Sequence, residues 1–233
     1  LALKVAPHER FHGVYWVTVE DGSRKLATLN LVPGKAVYGE RLIPWDGKGE
    51  CRLWDPYRSK LSAAVFKGLR SMPVIPGVKV LYLGASTGTT SSHVSDIVGS
   101  RGKVFCVEFA PRVMRELISN VCAFRGNMFP ILADARFPER YQTVVDTVDH
   151  IYCDIAQPEQ ARVLADNADL FLKKGGEALL AVKARSIDVT KRPSEVYRGE
   201  DRVLRTRGFQ VEERLHLEPY DQDHAMILAK YVK

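Results

Sequence analysis

The stretch VKVLYLGASTGTTSSHVSDIVG, residues 78–99, constrains the fold most. Residues 78–83 form a short apolar run of the length and composition of a buried strand. Gly84-Ala85-Ser86-Thr87-Gly88 breaks the run. Val94, Ile97 and Val98 then recur at helical spacing. Strand, glycine turn and helix is how many folds hold a nucleotide-like cofactor. Glycine lets the backbone bend sharply and approach a ligand closely, and the free amides at a helix start bind polar groups. Alone, the stretch is also compatible with an ordinary tight turn of an α/β protein.

The chain after it alternates strand and helix. Strands are expected over residues 103–109, 128–133, 148–155 and 177–184, with helices over 111–124, 158–172 and 193–207 between them. Pro111 suits a first helical turn, and Gly175-Gly176 reads as a helix stop. Residues 209–217 and 225–232 read as two last strands paired antiparallel. Such alternation gives a largely parallel sheet with helices on both faces. Its ligands sit beyond the carboxyl ends of the strands.

Residues 1–55 have a different texture. Residues 14–19 and 25–31 are strand-like, Asp21-Gly22 is a turn, and Tyr38, Gly39, Arg41 and Ile43 suggest a further extended piece. The reading is a small antiparallel β domain at 1–55 and an α/β domain at 56–233, with the tryptophans as core and interdomain packing. A domain of about 55 residues is marginal alone and is expected to lean on its neighbour. Ser59 is a candidate cap for a helix over residues 60–69.

Composition narrows the class. Of 233 residues, 45% are hydrophobic, enough for a core. No apolar run approaches the roughly 18 to 20 residues that span a bilayer, and the start has no signal-peptide pattern, so a soluble cytoplasmic protein without a membrane role is expected. Cys51, Cys106, Cys122 and Cys153 form no CxxC pair, so no metal site is expected. A net charge of +6 leans toward polyanionic partners.

Acidic or glycine-rich ends follow successive strands: the Gly84 turn, Glu108, Asp134 and Asp154, with Lys183 near the end of the next strand. One acid alone is usually a helix cap. Four at successive strand ends are better explained by a shared site. The G-A-S-T-G spacing departs from the G-x-G-x-x-G of dinucleotide folds. It also matches G-x-S-x-G, with Ser86, Asp154 and His224 in hydrolase order, but Glu108 would then have no role. S-adenosylmethionine fits better: it has a ribose and an adenine for Glu108 and Asp134, cations for carboxylates, and no pyrophosphate.

The segments VLYLGASTGTTSSHVSDIVG, VEFAPR, DAR, DIAQPEQ and LEPYDQDHA together resemble the fibrillarin family, the ribose 2′-O-methyltransferases of box C/D ribonucleoproteins. The resemblance runs from about Asp55 to the end and is to the archaeal form, which lacks a glycine- and arginine-rich tail. It implies a class I methyltransferase fold, a Rossmann-like seven-stranded sheet with its last strand antiparallel, beside a small N-terminal β domain. It implies S-adenosylmethionine held by the Gly84-Ala85 turn, with Thr89 and Thr90 at the methionine end. Glu108 and Phe109 would take the ribose and flank the adenine. Asp134 and Ala135 would contact the adenine, and Asp154, Ile155, Ala156 and Gln157 would close the site near the methyl group. It also implies a catalytic set of Lys60, Asp154, Lys183 and His224.

A ribose 2′-hydroxyl is a poor nucleophile at neutral pH and needs a base or cations that stabilise developing alkoxide. Lys183 is the best candidate to activate it, oriented by Asp154 and influenced by Lys60, with His224 orienting the nucleotide or relaying a proton. The chain has no obvious RNA-reading module. The resemblance implies a guide RNA that pairs with target rRNA or tRNA, a Nop-family scaffold and an L7Ae-type kink-turn-binding protein. A mainly structural role in such a particle is the alternative, but a pure scaffold needs no Lys-Asp-Lys-His set. The basic residues from Arg185 to Arg207 are a further candidate contact for phosphates, or an ordinary solvated helix face.

Overall fold

The structure is a computed structural model that describes residues 3–233. The first two residues of the expected 1–55 segment lie outside the described residues. The N-terminal strands are β1 (Lys4–Pro7), β2 (Val14–Thr18), β3 (Arg24–Leu29), β4 (Leu42–Trp45) and β5 (Gly49–Leu53). They form an antiparallel sheet in the order β1-β2-β3-β5-β4. The extended piece expected around Tyr38 begins later, at Leu42. Residues 37 and 38 instead curl so that both amides donate to the Glu40 carboxylate.

The second part runs α1 (Lys60–Phe66), β6 (Lys79–Leu83), α2 (Thr89–Val98), β7 (Lys103–Glu108), α3 (Pro111–Asn120), β8 (Met128–Leu132) and β9 (Val148–Cys153). It continues with α4 (Gln160–Phe171), β10 (Leu172–Lys183), α5 (Ala184–Ile187), α6 (Pro193–Thr206), β11 (Phe209–His216) and β12 (His224–Tyr231). The sheet order is β11-β12-β10-β9-β6-β7-β8. Strands β6 to β10 pair in parallel, and β12 inserts antiparallel between β10 and β11. This is the class I methyltransferase arrangement that the alternation and the resemblance led us to expect. No helix among the described residues is long and apolar enough to cross a membrane.

Several expected boundaries moved. Helix α1 ends at Phe66 rather than at residue 69. Helix α4 stops at Phe171, and β10 starts at once at Leu172 and runs through Gly175-Gly176. The glycines sit in an irregularity between Leu172 and Glu177, where the register to β9 shifts, so they break a strand rather than cap a helix. Helix α3 ends at Asn120, and residues Cys122–Phe124 follow as a separate 3-10 turn.

The central strands are apolar on both faces. Leu81 and Leu83 point into one core, with Phe105, Ile151 and Leu164. Val80 and Tyr82 point into the other, with Val94, Ile97 and Trp54. Burial on both faces is why these strands read as continuous apolar runs.

Helix α2 is buried from Thr90 to Val98 although seven of its ten residues are polar. Its apolar side packs on the parallel sheet, and its polar side is roofed by the N-terminal sheet. Asp96 is the centre of that contact. Its Oδ1 accepts from the Leu31 amide at 3.1 Å and Arg125 at 2.6 Å. Its Oδ2 accepts from Thr28 and from Arg52 Nε, each at 2.8 Å. Arg52, on β5, also donates to Glu40 and Ser92. Two buried guanidiniums thus meet two buried carboxylates. Asp96→Ala leaves both arginines without that partner. We expect a loss of roughly 3–5 kcal/mol, the cost of breaking a buried pair from one side, measured by denaturant unfolding.

His93 lies beside this cluster. Its ring stacks on Trp54 at 5.3 Å, and it meets Thr28 through Nδ1 at 2.7 Å and Tyr38 through Nε2 at 2.8 Å. Because the Thr28 hydroxyl gives its proton to Asp96, the network assigns the His93 proton to Nδ1. Burial, reinforced by Arg52 and Arg125, holds its pKa well below 6.5. The folded chain therefore keeps His93 neutral where the unfolded chain protonates it. That contribution to stability is present above pH 6.5 and is lost as pH falls below it, by up to about 1.4 kcal/mol per pH unit. Burial also lowers His150, to about 4, so it acts with the same sign. Urea unfolding between pH 7 and 5 should show a shallower loss for His93→Gln than for the unchanged chain.

Candidate functional site

The carboxyl ends of β6, β7, β8, β9 and β10 meet at one edge of the sheet, as parallel strands require. A cavity of about 320 Å³ lies there, lined by Gly84, Glu108, Phe109, Asp134, Ala135 and Asp154 to Gln157 among others. The glycine turn shapes it indirectly. Gly84 has φ +82°, and a Cβ there would stand 2.5 Å from the Asp154 carbonyl oxygen. Gly88, at φ +103°, would meet Val121 at 2.7 Å. These glycines give room to neighbouring protein, so the turn packs tightly on Asp154 and on the segment after α3.

Glu108 ends β7 and is 8% exposed. Its Oε2 accepts the Ser86 amide and its Oε1 the Ala110 amide, each at 3.0 Å. One lone pair on each oxygen remains, which fits two vicinal hydroxyl donors such as those of a ribose. Phe109 follows at 62% exposure, a flat apolar face on the cavity rim. Asp134 is clamped by Arg136, which donates to both carboxylate oxygens and gives its own amide to Oδ1. The Arg136 hydrogen bond holds the Asp134 carboxyl below the usual carboxylate range. These acceptors and this exposed aromatic face suit an adenosine with a cationic end directed at Asp154. Ala85, Thr89 and Thr90 stand outside the lining of that cavity. Thr90 is buried and gives its hydroxyl to Ser59 at 3.0 Å.

Asp154 follows β9 and lies between two lysines. Lys183 Nζ is 2.8 Å from Oδ1, while its hydrogen bond is aimed at the Asp154 carbonyl at 3.3 Å. Oδ1 is therefore buried beside a positive charge but has no aligned donor. Lys60 Nζ donates to Oδ2 at 3.3 Å. Lys60 is placed by the start of α1, where Ser59 accepts the Ser62 amide and binds Trp54 Nε1. Gln160, fully buried on α4, exchanges hydrogen bonds with the Lys183 backbone and fixes the end of β10.

His224 opens β12 and is the register partner of Lys183, so both side chains leave the same face of the sheet. It reaches the lysines through Asp221. His224 Nδ1 is 2.9 Å from Asp221 Oδ1, and Lys60 Nζ is 3.6 Å from Asp221 Oδ2. Burial acts to raise the Asp221 carboxyl, but His224 and Lys60 together outweigh it and hold it low. The structure thus brings Lys60, Asp154 and Lys183 into contact and joins His224 to them through a carboxylate. Asp221 and Gln160 were not singled out from sequence. The one visible signal was that Asp221 stands three residues before His224 in LEPYDQDHA. Of the seven cations from Arg185 to Arg207, three are paired: Arg185 with Asp223, Lys191 with Asp188, and Arg207 with Asp166 and Asp169. Arg192, Arg198, Arg202 and Arg205 have no carboxylate partner among the described residues.

A family model described as Fibrillarin matches residues 5–233. A relative from Staphylothermus marinus, a fibrillarin-like rRNA/tRNA 2′-O-methyltransferase, is 59% identical over 229 residues, covering 98% of this chain and 97% of its own. Among solved structures, Aeropyrum pernix fibrillarin with natively bound S-adenosyl-L-methionine superposes with a TM-score of 0.92 at 54% identity, covering 98% of this chain and 99% of that one. The fibrillarin of a fibrillarin/Nop5p complex superposes with a TM-score of 0.83 at 38% identity, covering 97% and 100%. On the match to nearly its whole length, the chain belongs to the fibrillarin family.

Proposed function

We propose that this chain is an S-adenosylmethionine-dependent RNA methyltransferase that methylates ribose 2′-hydroxyls of rRNA and tRNA. The observation that carries this reading is Asp154, which lines the cofactor cavity and is flanked by Lys183 and Lys60. S-adenosylmethionine, when bound, supplies a methyl group already activated on a sulfonium. The chain's own task is to position and to manage charge. Glu108 holds the ribose hydroxyls of the cofactor through its spare lone pairs. Phe109 flanks the adenine, and Asp134 with Ala135 borders it. Asp154 to Gln157 close the cavity toward the reacting centre.

Lys183 acts on the nucleophile. An ammonium beside a carboxylate presents a fixed cation where the 2′-oxygen develops negative charge, without reorganisation at the moment of reaction. Asp154 holds that ammonium, and Lys60 holds Asp154. The hydroxyl proton is drawn off to the Asp154 carboxylate, from which Lys60, Asp221 and His224 lead toward the surface. The oxygen gains a methyl and loses a proton, and positioning for in-line attack supplies much of the rate.

The Nop5p complex of a relative supports a Nop-family scaffold as partner. We extend this to a box C/D particle in which a guide RNA selects the nucleotide and an L7Ae-type kink-turn-binding protein completes the assembly. The cytoplasm is the proposed compartment, since relatives such as that of Staphylothermus marinus are archaeal.

The test is to assemble the chain with scaffold, kink-turn protein, guide RNA and labelled S-adenosylmethionine, then map the ribose that gains the label. We expect one methyl at the guided nucleotide. Lys183→Ala should lower the single-turnover rate by about 10²–10⁴-fold while cofactor affinity changes little. An unchanged rate for that variant would remove Lys183 from the chemistry.

A further inference from the structure

The turn between β11 and β12, residues 217–223, is braced from both elements that carry the catalytic lysines. On the α1 side, Tyr220 meets Tyr57 edge-on at 5.0 Å and Phe66 edge-on at 5.6 Å, and Lys67 donates to the Glu218 carbonyl. On the β10 side, the Ala184 amide donates to the Asp223 carbonyl at 3.1 Å, and Arg185 donates to the Asp223 carboxylate at 2.8 Å. Within the turn, the Leu217 carbonyl accepts the Tyr220 and Asp221 amides, and Glu218 accepts the Asp223 amide. Asp221 is held at the centre of this bracing.

Its side chain meets two members of the catalytic set. Oδ2 is 3.6 Å from Lys60 Nζ, and Oδ1 is 2.9 Å from His224 Nδ1. The Gln222 carbonyl oxygen lies 2.6 Å from the same ring nitrogen. Both oxygens only accept, so in the neutral ring Nδ1 carries the proton and Nε2 is left as the acceptor.

Charge explains why a second carboxylate is needed. Lys60 and Lys183 bring two ammoniums to one carboxylate, that of Asp154. Once Asp154 takes the ribose hydroxyl proton, that anion is gone. Lys183 then faces the oxygen that has gained negative charge. Lys60 keeps a counter-ion only in Asp221. Without it, the two ammoniums would repel across a partly buried space, and Lys60 would leave its place.

We propose that Asp221 is a positioning residue for methyl transfer: it is the second counter-ion of Lys60, and it keeps Lys60 and the His224 imidazole in place while Asp154 holds the hydroxyl proton. The proposal rests on the reading of the chain as an RNA ribose methyltransferase. In the step, the 2′-O–H bond breaks and its proton joins Asp154. The 2′-oxygen bonds to the methyl carbon as the carbon–sulfur bond breaks, and that electron pair stays on sulfur. Lys60 remains protonated and Asp221 remains ionised throughout.

The experiment measures single-turnover methylation by the assembled particle. Asp221→Asn should slow it about tenfold, with KM for the RNA and cofactor affinity each within about twofold and the urea unfolding midpoint of the chain unchanged. Asp221→Glu, which keeps the charge, should recover most of the rate. In a Lys60→Ala background, Asp221→Asn should cost a much smaller factor, because one of its two partners is already gone. A full rate for Asp221→Asn overturns the proposal, and so does the same factor in both backgrounds. A raised KM at unchanged kcat overturns it too and makes Asp221 a substrate contact. A lowered unfolding midpoint in both variants makes the residue structural and likewise overturns it. All of these leave the methyltransferase reading intact, whereas an unaltered particle that transfers no methyl overturns the functional reading itself.

Discussion

The carboxylate of Asp154, with a lysine on either side, is the interaction on which the site depends. Its three members come from separate elements: Lys60 from the start of α1, Asp154 from the end of β9, and Lys183 from the end of β10. At an effective dielectric near 20, two unit charges about 4 Å apart interact by about 4 kcal/mol before desolvation is counted. Without the carboxylate, the two ammoniums would repel across a partly buried space. The anion therefore sets where the cations stand, and the register of β9 against β6 and β10 sets where the anion stands. Gly84 is part of the same device, since its missing side chain lets the β6 turn lie against the Asp154 carbonyl.

The N-terminal sheet serves this geometry from a distance. It roofs the polar side of α2 through Arg52, Thr28 and Asp96, and it carries Trp54 into the core beside His93. Trp54 then bonds Ser59, which caps α1, and Thr90 on α2 bonds the same hydroxyl. One serine thus ties the roof, the catalytic-side helix and the glycine-turn helix together. A buried polar cluster of this kind gains little net stability over an apolar one. What it fixes here is the orientation of the two parts, and with it the position of Lys60.

Much of this was legible in the sequence, for reasons that differ by residue. The strands were visible because both faces of the sheet are buried, and Glu108, Asp134, Asp154 and Lys183 were visible because strand ends are where such sheets place ligands. Lys60 stands on a short helix outside the βα repeat, so only the family resemblance pointed to it. Asp221 and Gln160 act through partners at Lys60 and Lys183, far away in the chain, and no local pattern reveals such a pair. The burial of the polar side of α2 has no local signal, because the sheet that covers it is distant in sequence. Gly175-Gly176 read as a helix stop because a glycine pair fits a cap and a strand irregularity equally well until the register is known. The glycine turn was read as room for a ligand; Gly84 does line the cavity, while the space a side chain would fill at Gly84 and Gly88 is taken by Asp154, Leu117 and Val121, contacts that only the fold reveals.

The most direct measurement of the central claim is a double-mutant cycle between Asp154→Asn and Lys183→Ala in the single-turnover methylation rate of the assembled particle. If Asp154 and Lys183 act as one unit, the carboxylate holding the ammonium and taking the hydroxyl proton while the ammonium steadies the oxygen, the double variant should be about as slow as the slower single variant. Multiplicative losses, with each change costing its full factor in the presence of the other, would show that the two residues act independently and would contradict the account.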